Sequence, residues 1–177
     1  MPLFHLLKEW TFEQYSEVYQ CRVFVEIGTF MGDMVYAEQR RFKQIYSIEL
    51  DEALHEKAVK RFKGKSHIHI LQGDSGKVLK DIVPRLKEKA IFWLDGHYSG
   101  GITAKADKEC PIIEELDAIL KSDYQHVILI DDAICFNGTH DYPTIPDLTA
   151  NVHRLNPQYK VQVYNDIIRL TVEKEAL

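Results

Sequence analysis

Val23-Phe24-Val25-Glu26-Ile27-Gly28-Thr29-Phe30-Met31-Gly32 is the stretch on which the fold turns. A short apolar run, rich in β-branched and aromatic residues, leads into two glycines spaced Gly-x-x-x-Gly, and an amphipathic segment follows. Such a run predicts a strand covered on both faces. The glycines predict a turn whose backbone takes positive φ and admits a ligand at close range. A helix opening just beyond presents free N–H groups at its N-terminus.

Outward from this unit, similar runs recur at residues 45–50, 68–71, 91–94 and 127–130. Between them, residues 34–42, 51–62, 76–88 and 111–121 read as helices, Pro111 suiting a first helical turn because it has no N–H to lose. Strands alternating with helices predict a parallel sheet built from right-handed crossovers. The last stretch differs: residues 146–155 read as a helix, and residues 159–164 and 167–172 as strands joined by Asn165-Asp166. That dipeptide suits a hairpin turn, so the sheet should close with an antiparallel pair. The expected fold is α/β and Rossmann-like: a doubly wound, mostly parallel seven-stranded sheet with a C-terminal antiparallel hairpin. One domain over residues 1–177 accommodates it, with residues 1–21 as an N-terminal helical extension. Two long irregular stretches, 96–110 and 132–145, follow strand C-termini, where open α/β sheets bind ligands.

Composition narrows the function classes. A net charge of -5 disfavours a broad nucleic-acid footprint, which calls for a basic patch. Cys21, Cys110 and Cys135 are widely spaced and form no Cys-x-x-Cys pair, which suits a reducing compartment rather than a disulfide framework or thiolate zinc site. The opening MPLFHLLKEW lacks a basic n-region, its short apolar patch ending at Lys8 and Glu9, and no later run reaches membrane-spanning length. A cytoplasmic location, with no membrane partner, is the expectation.

The cofactor end reads as follows. Glu49 closes the second run about twenty residues after Gly28, where a carboxylate accepts the hydroxyls of a ribose. A dinucleotide fingerprint calls for Gly-x-Gly-x-x-Gly, so that the backbone can hug a pyrophosphate. Here the spacing is wider and Glu26 precedes the first glycine. A carboxylate repels a pyrophosphate and attracts a sulfonium or an ammonium, which favours S-adenosylmethionine over NAD.

VEIGTFMG, with Glu26, Gly28, Thr29, Phe30 and Gly32, resembles motif I of class I S-adenosylmethionine-dependent methyltransferases, and YSIELD, with Glu49, resembles their acidic second-strand motif. LQGDS is similar to the family's adenine-side loop, which implies that Asp74 and Ser75 sit beside the base. The resemblance runs from Val23 to Val172. Read from the residues alone, the glycines are also ordinary turn formers, and Glu49 and Asp74 are also candidate helix caps or solvated loop carboxylates.

The chemical end lies at the fourth and fifth runs. Asp95 follows the fourth and Asp131-Asp132 the fifth. Under class I topology those strands are neighbours about 4.8 Å apart, so three carboxylates converge. A hard divalent cation (Mg²⁺, Mn²⁺ or Ca²⁺) would relieve their repulsion. The constellation resembles that of metal-dependent O-methyltransferases of the catechol and macrocin types, which implies Asp95, Asp131 and Asp132 as ligands. In the macrocin type the general base stands two positions after the first ligand, where this chain has His97, a residue able to take a hydroxyl proton near neutral pH. The metal-free alternative has Asp95 contacting the cofactor's amino group, Asp131 capping its loop and Asp132 solvated.

The remaining residues carry less. Tyr98-Ser99-Gly100-Gly101, with Lys105 and Lys108, is either a substrate cover or a solvated loop. His67 and His69 have metal-like spacing but no third ligand nearby, Trp93 reads as core, and His140 lies in a turn near the site's mouth. The expected activity is methyl transfer to a hydroxylated small molecule or sugar, against the alternatives of a non-catalytic cofactor-binding module and an NAD-dependent oxidoreductase. Short flanks suggest a large exposed acceptor or a homo-oligomer that completes the site.

Overall fold

The computed structural model describes residues 3–95 and 110–173. The first helix, α1 (Leu3–Tyr19), precedes β1 (Val23–Ile27), α2 (Asp33–Glu38), β2 (Gln44–Glu49), α3 (Glu52–Arg61), β3 (Ile68–Gln72), α4 (Ser75–Ile82) and β4 (Ala90–Leu94). After the undescribed segment come α5 (Ile112–Leu120), β5 (Val127–Ile130), α6 (Ile145–Leu155), β6 (Tyr159–Tyr164) and β7 (Ile167–Val172). They form one seven-stranded sheet in the order β3-β2-β1-β4-β5-β7-β6. The first five strands pair in parallel, while β7 runs antiparallel to both β5 and β6. This is the Rossmann-like sheet with a terminal hairpin that the sequence predicts. Asn165 and Asp166 turn the hairpin with φ of 49° and 58°, the left-handed pair whose twist matches flanking strands.

Each face of the sheet carries its own core. Val25, Ile27, Phe92 and Ile128 pack with Leu79 of α4, Leu116 of α5 and Leu148 of α6. On the other face Phe24, Ile45, Trp93 and Leu129 pack with Phe12 of α1, Met34 of α2 and Phe62 beyond α3. Strands covered on both sides explain why β1, β4 and β5 are buried throughout and read as unbroken apolar runs. No helix among the described residues is long and apolar enough to cross a membrane.

The structure corrects several boundaries. The helix predicted over 76–88 stops at Ile82, and residues Val83–Arg85 tighten into a 3-10 turn, because Pro84 has no N–H to continue the α-helical ladder. The helix predicted over 34–42 ends at Glu38, whose carbonyl takes the N–H of Arg41 at 2.9 Å and closes a tight turn. Asp51 and Pro111 sit at N-cap positions rather than inside their helices, the Asp51 side chain accepting the Leu54 N–H.

Candidate active site

All five parallel strands deliver their C-terminal ends to one edge, and backbone hydrogen bonds carry the ladder one step further. Gly28 N–H bonds Ile48 O at 3.0 Å, Gly73 N–H bonds Glu49 O at 2.9 Å, Asp95 N–H bonds Ile27 O at 3.2 Å, and Asp131 N–H bonds Leu94 O at 3.1 Å. The sheet itself therefore positions the candidate residues. Between β1 and β4 the chain order reverses, which opens the crevice where such sheets bind ligands.

The glycine turn needs its glycines. Gly28 and Gly32 have φ of 91° and 78°. A Cβ on Gly32 would meet Phe62 Cε2 at 2.8 Å. Phe30 also lies in the left-handed region, at φ 47°, which costs a non-glycine residue about 1–2 kcal/mol. Glu49 offsets that cost: its Oε2 accepts the Phe30 N–H at 2.7 Å while Oε1 accepts the Asp51 N–H at 2.9 Å. From the other side, the Arg61 guanidinium donates to the Met31 carbonyl and, at 2.7 Å, to Asp33. Phe30 and Met31, 47% and 46% exposed, form an apolar lip on a clamped turn.

Glu26 lies behind this turn, almost fully buried. The Ser47 hydroxyl donates to it, and Thr29 Oγ1 stands 2.6 Å from Ser47 Oγ. Burial pushes the Glu26 carboxyl up to about 8, and the neighbouring Asp95 and Glu49 push in the same direction. Glu49 and Asp95, at the ends of the strands on either side of β1, flank the turn with acidic groups that suit a cationic ligand, while Glu26 is buried on β1 between those strands.

At the ends of β4 and β5, carboxylate oxygens of Asp95, Asp131 and Asp132 lie within 4.8 Å of one another. Asp132 adopts φ 52°, a left-handed conformation that an aspartate tolerates better than most residues. Lys8 of α1 meets this trio, hydrogen-bonding Asp131 and standing 3.5 Å from Asp95 Oδ2, with its ammonium 5.0 Å over the Trp93 ring. Burial lowers the Lys8 pKa, but Asp95 and Asp131 more than offset it, leaving the ammonium above its ordinary value. Burial and Asp131 still push the Asp95 carboxyl up to about 7, so one ammonium does not satisfy three acids. An all-oxygen donor set with residual negative charge fits a hard divalent cation.

Other candidates lie around this edge. Asp74 caps α4, its Oδ1 accepting the Lys77 N–H at 3.2 Å, and the Ser75 hydroxyl is bonded to buried Glu115. Gly28, Thr29, Phe30 and Gly32 lie on the turn after β1, Glu49 closes β2, Asp74 caps α4 and Ser75 opens it. His67 and His69 are engaged by Gln39 O at 3.0 Å and Gln44 Oε1 at 2.9 Å, away from the trio. Trp93 is fully buried. His97, with Tyr98, Ser99, Gly100, Gly101, Lys105 and Lys108, lies outside the described residues.

Sequence reasoning missed Lys8, Ser47 and Arg61. Ser47 is legible in hindsight as a polar residue inside a buried strand. Lys8 carries no local signal, since 123 positions separate it from Asp131.

No family model matches the chain, and no curated protein matches it. Solved structures do resemble it. The S-adenosylhomocysteine-bound methyltransferase PaMTH1 of Podospora anserina shares 16% identity at TM-score 0.61, over 95% of this chain and 79% of that one. The O-methyltransferase TomG of Streptomyces achromogenes, in complex with S-adenosylmethionine, shares 18% at 0.56, over 93% and 78%. The N-methyltransferase NodS of Bradyrhizobium japonicum shares 14% at 0.61, over 97% of both. These likenesses establish the fold: the chain shares the Rossmann-like architecture of these methyltransferases.

Proposed function

We propose that this chain is an S-adenosylmethionine-dependent methyltransferase that acts on a hydroxylated small molecule or sugar. The observation that carries the reading is the pair of acids on either side of the Gly28–Gly32 turn, Glu49 accepting the Phe30 N–H and Asp95 tied through its own N–H to Ile27 O, on a sheet of methyltransferase order. An anionic pyrophosphate would be repelled there, whereas S-adenosylmethionine brings a sulfonium, an ammonium and a reactive methyl group.

The residues divide the work by position. The turn at Gly28, Thr29, Phe30 and Gly32 lets the ligand approach the backbone. Glu49 spends one lone pair of each oxygen on a backbone N–H, so further lone pairs remain for ribose hydroxyls. Asp74 and Ser75 border the adenine side. Asp95, Asp131 and Asp132 would hold a divalent cation, which when bound lowers the pKa of a substrate hydroxyl. His97 takes the hydroxyl proton, and Asp95 also faces the cofactor. Because Asp95 and Asp131 directly follow the ends of β4 and β5, orientation supplies much of the acceleration.

Calorimetric titration with S-adenosylmethionine, with and without Mg²⁺, tests the assignment. Micromolar affinity is expected, about 8 kcal/mol of binding free energy. Asp131→Ala should keep that affinity while losing metal-dependent methyl transfer to hydroxylated acceptors. Absence of binding in both conditions would overturn the reading, and equal loss of binding and turnover in Asp131→Ala would overturn the division of roles.

A further inference from the structure

We infer that the Lys8 ammonium and a divalent cation are alternative occupants of the Asp95–Asp131–Asp132 cluster, so that α1 sets the metal affinity of the site. The inference rests on the trio as the cation-holding part of the proposed active site.

Lys8 uses the oxygens an ion would need. Its ammonium donates to Asp131 Oδ2 and stands 3.5 Å from Asp95 Oδ2, while the trio's oxygens converge within 4.8 Å. An ion bound to those oxygens at about 2.0–2.6 Å would lie roughly 4 Å from the ammonium, at a part-buried site where like charges repel. Sharing is unfavourable; exchange is not. A divalent ion brings twice the charge of an ammonium to three mutually repelling carboxylates and coordinates several of them at once.

The placement of Lys8 is built into α1. Phe12, one helical turn later, is fully buried, its ring centroid 5.2 Å from Phe24 and 5.0 Å from Trp93. Thr11 and Ser16 of the same helix are buried as well. These anchors aim the Lys8 stem across Trp93 at the carboxylates. They also hold α1 in place when the ammonium leaves, because the Lys8 side chain is 19% exposed and its long stem can swing to water. The N-terminal helix therefore carries a built-in counter-cation that keeps the acids compatible when no metal is bound.

The test measures Mn²⁺ binding to the intact chain by electron paramagnetic resonance. Wild type is compared with Lys8→Met, with Lys8→Gln, and with Lys8→Met combined with Asp131→Asn. Removal of the ammonium should tighten Mn²⁺ binding at least tenfold, and Asp131→Asn should abolish the gain. In wild type, acylation of Lys8 read by mass spectrometry should speed up at least severalfold when Mg²⁺ is added, a readout that needs no variant to fold. Affinities of the Lys8 variants within twofold of wild type, a gain that survives Asp131→Asn, no Mn²⁺ binding at all, or an unchanged acylation rate would each overturn the inference. Titration of the same proteins with S-adenosylmethionine keeps the two readings apart: its failure would sink the methyltransferase assignment and leave the Mn²⁺ comparison standing.

Discussion

Glu26 shows how a single position combines structural and functional demands. In sequence it is a charged residue interrupting an apolar run; in the structure it is a buried acid bonded by Ser47 and lifted by burial from 4.5 to about 8. Because the folded pKa is raised, the fold favours the protonated form. This contribution to stability is complete below about pH 4.5 and is lost as pH rises through about 8. Between those limits Glu26 should cost the fold up to about 1.4 kcal/mol per pH unit. Buried Glu115, pushed up to about 7, acts in the same direction and is common to wild type and variant. Urea unfolding of wild type and Glu26→Gln across this window should show the variant gaining relative stability as pH rises. Parallel pH profiles would contradict the buried, neutral Glu26. Lys8 teaches the complementary lesson: as the residue that ends an apolar patch it looks like a solvated boundary, yet it meets Asp131 across 123 positions of sequence.

At the level of elements, α1 is the piece whose role the sequence leaves open. A helical stretch of residues 1–21 is legible, but a helix can flank a sheet without covering it. What docks it is Phe12, seated edge-on against both Phe24 and Trp93. Truncation of a fully buried phenylalanine costs about 3–5 kcal/mol, so Phe12→Ala should lose that much in urea unfolding. A loss below about 1 kcal/mol would mean that α1 does not pack on the sheet. Strands were legible because parallel strands buried on both faces leave continuous apolar runs. Helix ends were less so: the tight turn at Glu38 depends on the way Arg41 and Phe42 fold back on it, which periodicity does not encode.

For the molecule as a whole, the proposed cofactor should act as a folding ligand. Free S-adenosylmethionine at 100 times its Kd adds about 2.7 kcal/mol, which for a chain of this size raises Tm by roughly 5–10 °C. Differential scanning calorimetry should show that shift, and NAD at equal concentration should give none; the reverse pattern would favour a dinucleotide. The strand-helix alternation, the glycine turn, the Asn165-Asp166 hairpin and the acids at the strand ends are all local features, written in periodicity and residue type, and so the sequence by itself determined the α/β fold and the class of candidate residues. The tertiary structure alone decided which of those acids share space, that Glu26 is buried behind the turn rather than lining it, that Asp74 and Ser75 are engaged at the start of α4, and that an ammonium from the far end of the chain sits among the carboxylates. Such facts depend on distances between residues far apart in the chain, and only the assembled sheet with α1 packed on it sets those distances.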